Sequence, residues 1–187
     1  MSDTREKLSA TSVGLHWVIG LTMIGMVIFG LVIADMPKGD AKGAYIGLHK
    51  SIGILVLVFA SWRVVRRLRI GMLDAAGTPA PWEHTLASII ASFLLFATLA
   101  LPLSGIVMTL AGARPVAVFG ATVIPQLLTE KNELLGGIGH KTHEILGYLL
   151  LAAVSLHIAG ALKHHVLDRD GTLKRMLGAR NDPVKRA

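Results

Sequence analysis

The stretch HKTHEILGYLLLAAVSLHIAGALKHH, residues 140–165, carries two conflicting signals. Its run of Leu, Ala, Ile and Val exceeds the roughly 20 apolar residues that cross a bilayer core. Yet it holds five of the chain's eight histidines: His140, His143, His157, His164 and His165. Hydrocarbon cannot hydrate an imidazole, so a histidine inside a span faces the bundle interior and by default marks a functional site. His143 and His157 are fourteen residues apart. At 100° and about 1.5 Å per residue they share one helix face, ~21 Å apart along the axis. They cannot share one metal ion, but they can serve two sites stacked across a membrane.

The rest of the chain agrees with a membrane setting. Of its 187 residues 52% are hydrophobic and only 17% charged, and the mean hydropathy is +0.59. A soluble domain of this length needs more polar surface. There is no cysteine, which excludes disulfides, thiolate-held iron–sulfur clusters, cysteine zinc sites and thioether-attached haem. The net charge of +7 resides outside the apolar runs. That placement points to membrane orientation and anionic lipid, not to nucleic acid.

Four apolar runs, about 12–34, 45–66, 84–111 and 142–166, predict an all-α membrane protein, a four-helix transmembrane bundle forming one domain. Residues 167–187 follow as a basic cytoplasmic tail. The first run is taken as a span and not a secretory signal: its leader MSDTREKLSA is mixed in charge and no small-residue cleavage site follows Ala34. The longest connection contains PQLLTEKNELL, which predicts a short amphipathic surface helix starting at Pro125. Thirteen Lys and Arg fall on the side of the termini, among them Arg5, Lys7, Arg63, Arg66, Arg67, Arg69, Arg180, Lys185 and Arg186. Six fall on the other: Lys38, Lys42, Lys50, Arg114, Lys131 and Lys141. Both termini are therefore expected in the cytoplasm.

Antiparallel topology assigns partners by depth. His16 lies early in the first span and matches His157, late in the fourth. His49 lies early in the second span and matches His143, early in the fourth. Two His–His pairs without cysteine or carboxylate favour two b-type haems with bis-imidazole ligation; zinc would want three or four protein ligands at each depth. Gly20, Gly53 and Gly147 each stand four residues after a paired histidine, where a missing side chain lets a flat ring approach. Gly30 opens a similar gap at the other depth of the first span. Arg63, fourteen residues after His49, sits at the depth of His16 and His157 and is a candidate partner for a haem propionate. Pro102 and Gly105 predict a kink in the third span. A lone intramembrane histidine is often satisfied by a neighbouring carbonyl, but two matched depths on one shared face are far harder to obtain by chance. His164 is a candidate contact to a propionate or a quinone. His84 and His165 are expected at the interface and His140 at the surface.

These residues resemble the bacterial cytochrome b561 family. The resemblance runs from about Thr11 to Met176 and is carried by LHW with His16, GLHKSIGILVL and SWRVVRRL with His49 and Arg63, LALPLSGIVM, and the stretch quoted at the outset. It implies haem-iron ligation by His16, His49, His143 and His157. The stand-alone branch that includes the superoxide oxidase of bacterial inner membranes is the most similar. That likeness implies oxidation of periplasmic superoxide and electron delivery to ubiquinone. On this expectation Lys50 and Lys141, beside the ligating turns, steer the anion. The alternative is a cytochrome b subunit relaying electrons between a partner dehydrogenase or hydrogenase and the quinone pool.

Overall fold

The computed structural model describes residues 8–71 and 79–177. Four long helices dominate: α1 (Ala10–Asp35), α2 (Asp40–Ile70), α3 (Pro81–Ala111) and α4 (Glu133–Val166). All four are long and apolar enough to span a membrane. A hairpin of β1 (Val116–Val118) and β2 (Ala121–Ile124) joins α3 to α4, and the short α5 (Thr172–Met176) follows α4. Arg5, Lys7, residues 72–78 of the second connection, and Arg180, Lys185 and Arg186 lie outside the described residues.

Local chemistry sets the helix ends. Ser9 caps α1 by accepting from the Ser12 amide at 3.3 Å. Met36 ends α1 in extended backbone, as a residue before proline must. Gly71, at φ +88°, closes α2 by donating its amide to the Arg67 carbonyl at 2.8 Å. Pro81 opens α3, where Glu83 reaches back to the Ala80 amide at 3.2 Å. Asn132 caps α4 through the Leu135 amide at 3.0 Å.

Two expectations need correction. PQLLTEKNELL is not a surface helix: residues 125–132 are irregular, and Glu133, Leu134 and Leu135 already belong to α4. Asn132 supplies a helix start that Pro125 does not. Helix α4 therefore begins nine residues before the apolar run at 142, and His140 lies within the helix, on its exposed surface as expected. Helix α3 continues through Pro102 as one element.

Neighbouring helices pack in sequence, most extensively α3 on α4, whereas α1 meets α4 sparingly and α2 hardly touches it. The buried centre is small: Leu15, Ile19, Met23, Val56, Ala60, Ala97, Leu101 and Leu150. Leu21, Ile28, Val58, Ile89, Phe96 and Leu156 are exposed, an outer surface that only lipid would cover. At the turn between the strands, Phe119 and Gly120 both have positive φ, the backbone of a tight hairpin. The Phe119 amide donates to Ser51 Oγ at 2.9 Å, tying the hairpin to α2 beside His49.

Candidate haem site: two facing imidazole pairs

The expected partners face one another. The rings of His16 and His157 lie 6.2 Å apart between centroids, inclined by 59°. Those of His49 and His143 also lie 6.2 Å apart, inclined by 69°. Two imidazole nitrogens trans on one metal ion, each bonded at about 2.0 Å, leave ring centroids roughly 6 Å apart. Both pairs therefore have the spacing of two imidazoles able to hold one ion between them. The sparse α1–α4 and α2–α4 packing falls between the very helices that carry the partners. Added Cβ atoms at Gly20, Gly53 and Gly147 would meet nothing within 4 Å, so no neighbouring side chain closes over these three positions. A bis-imidazole haem fits these residues.

Each histidine has a different setting. His143 Nδ1 lies 3.0 Å from the Leu101 carbonyl and 2.9 Å from Ser104 Oγ. A carbonyl only accepts, so Nδ1 donates its proton to Leu101 and the Nε2 lone pair is left to bind a metal. Leu101 and Ser104 were not anticipated from sequence; LPLSG gave the location but not the role. Gly105 lies against the same ring, 3.6 Å from an added Cβ to His143 Cε1.

His49 is packed differently. Its Nδ1 is buried and has no hydrogen-bond partner, a cost of about 1–3 kcal/mol that asks for a compensating group. The ring fills the gap at Gly30, where an added Cβ would come within 3.3 Å of Cε1. The Gly30 gap thus seats the ligand ring itself.

Arg63 reaches the depth expected of it: its Nη2 lies 3.2 Å from His16 Nδ1. A guanidinium cannot accept, so this contact makes Nδ1 the acceptor and puts the proton on Nε2. If Nε2 is to bind a metal, the tautomer must reverse and Arg63 must donate elsewhere. Arg63, Arg66 and Arg67 line one cleft with Ser12 and His16, a setting suited to carboxylates.

The end of the bundle that carries the termini is clamped by polar contacts. Lys163 pairs with Glu83 at 2.7 Å and with Asp168 at 2.8 Å. The Lys163 hydrogen bond holds the Asp168 carboxyl below its usual range. His164 Nδ1 lies 2.9 Å from Asp168 and 3.1 Å from Asp170. Trp17 Nε1 donates to the Met176 carbonyl at 2.7 Å, fastening α5 to α1. His84 and His165 are exposed, and His140 lines a surface cavity. At the opposite end, Lys141 pairs with Glu144 at 2.8 Å, while Lys50 lies close enough to Arg114 for their like charges to interact.

With this geometry in view, the comparisons with known proteins are specific. The family model described as prokaryotic cytochrome b561 matches residues 7–179. Cytochrome b561 homolog 2 of Escherichia coli is 30% identical over 180 residues, covering 95% of this chain and 94% of that protein. Cytochrome b561 homolog 1 of the same organism is 30% identical over 182 residues, covering 94% and 99%. A probable superoxide oxidase, CybB of Yersinia pestis, is 27% identical over 176 residues, covering 92% and 96%.

Proposed function

The chain belongs to the prokaryotic cytochrome b561 family, membrane electron-transfer proteins that hold haem b, and from that premise we propose that it is a superoxide:ubiquinone oxidoreductase with two haems. The carrying observation is the pair of 6.2 Å imidazole spacings at two depths of one bundle. His49 and His143 hold one group, and His16 and His157 the other. Haem b, when bound, would supply one-electron iron chemistry, and a pair of histidine ligands would suit it to passing electrons. Leu101 and Ser104 orient His143. Arg63, now 3.2 Å from His16 Nδ1, would be the residue to hold a propionate carboxylate of a haem bound there. In the overall reaction two superoxide anions each lose one electron and leave as dioxygen, while ubiquinone takes two electrons and two protons. His164, beside the Asp168 and Asp170 carboxylates and seven residues beyond His157, is our candidate contact to the quinone.

The excess of Lys and Arg on the side of the termini supports a bacterial inner-membrane protein with both termini in the cytoplasm. Superoxide then meets the opposite end, where Lys50 and Arg114 are close. The name of the Yersinia pestis relative supports the choice of donor.

The reading is tested by rapidly mixing the purified, haem-loaded chain with superoxide and following the visible haem bands. Fast reduction, reversed by added ubiquinone, is expected. Bands that ignore superoxide would instead make the chain a subunit fed by a partner dehydrogenase or hydrogenase. Lys50→Gln should slow the second-order reaction roughly threefold at low salt, with the difference fading near 1 M as the Debye length falls to about 3 Å. Lys141→Gln should do less, because Glu144 already balances that ammonium. Equal, salt-independent rates in all three proteins would remove the steering role.

A further inference from the structure

A cavity of about 370 Å³ opens where α3 ends and α4 begins, at the end of the bundle away from the termini. It contains neither member of the nearby His49–His143 pair. Arg114, Lys131 and His140 line it, opposed by the single carboxylate of Glu133. Glu133 stands in the first turn of α4, where a negative charge suits the helix start. Among the described residues neither Arg114 nor Lys131 forms an ion pair. The Arg114 guanidinium lies along Gly112, with Nε and Nη2 3.2 Å from where a Cβ would stand. Two cations against one carboxylate leave the cavity with an excess positive charge, which suits an anion.

Depth identifies the source of that anion. Leu150 is midway between His143 and His157, so it marks the middle of the bundle. His140 lies ten residues from it and Glu133 seventeen, or ~15 Å and ~26 Å along a straight helix. A bilayer with its headgroups is about 40–45 Å thick, which puts its polar boundary roughly 20 Å from the middle. The cavity straddles that boundary.

We propose that this cavity, at the depth of the lipid headgroups, seats the phosphate of an anionic phospholipid, gripped by Arg114 and Lys131. Such a lipid would staple the ends of α3 and α4 one turn from His143.

The test is native mass spectrometry of the haem-loaded protein in neutral detergent, titrated with phosphatidylglycerol. The parent should bind it, and the Arg114→Gln/Lys131→Gln double variant should bind roughly thirtyfold more weakly. Arg114→Lys should keep most of the affinity, and Lys38→Gln, an exposed charge at the same end, should keep all of it. Unchanged haem bands would show that the variants are folded. Equal binding by parent and double variant would overturn the proposal. So would displacement of the lipid by glycerol phosphate at like concentration, which would make this a site for free anions, or equal affinity for phosphatidylcholine. A shifted haem reduction potential in Arg114→Gln with lipid binding intact would assign the arginine to the haem instead.

Discussion

If the proposed two-haem site is right, His49→Ala and His143→Ala should each purify with one haem b per chain against two for the parent, and the double variant should lose no more than either single change. The reasoning is that of a shared ligand pair. Once one imidazole is gone, its partner 6.2 Å away has nothing to complete, so the second substitution removes an interaction already lost. The same should hold for His16→Ala with His157→Ala. A cross-pair variant, His16→Ala with His143→Ala, should instead lose both haems. Haem content per chain, measured by pyridine haemochrome against protein concentration, distinguishes this from pairing between the adjacent helices α1 and α2. That alternative would make His16→Ala with His49→Ala the non-additive combination, and such a result would sink the assignment.

The pairing was legible in the sequence because only coarse quantities set it. Hydropathy fixed four spans, their alternation fixed direction, and a fourteen-residue step fixed two depths on one face of α4. Arg63 was placed near His16 by the same step. Finer features depended on atoms that sequence does not display. The acceptor for His143 Nδ1 is the backbone carbonyl of Leu101, and any residue carries a carbonyl. The start of α4 was missed because apolarity marks membrane thickness, whereas the helix itself runs on until Asn132 caps it. The hairpin of VAVFGATVI had a signal in its apolar runs around Phe119–Gly120, but its strands are too short to stand out beside four spans. The Lys141–Glu144 pair was available as an i,i+3 spacing and bears on any account of charge at that end.

Gly139→Leu should release the haem held at His49 and His143 and lower the melting temperature sharply, although Gly139 touches neither histidine. Gly139 is buried where α4 crosses α3. A Cβ there would stand 3.2 Å from the Met108 amide nitrogen and 3.3 Å from its Cα. Helix backbone cannot yield locally, so α3 and α4 must part. Membrane helices depend on such small residues for close approach, and overpacking of this kind costs about 1–3 kcal/mol even for modest additions. The displacement falls one turn from His143, whose orientation depends on a 3.0 Å bond to Leu101 across the same interface. Gly139→Ala should show a smaller version of both effects. Gly137 supplies the comparison: an added Cβ there meets nothing within 4 Å, so Gly137→Ala should gain up to about 1 kcal/mol of helix propensity with both haems kept. Thermal unfolding and haem content measured side by side separate packing from propensity. If Gly139→Leu keeps two haems and melts with Gly137→Leu, the α3–α4 contact is not what aims His143.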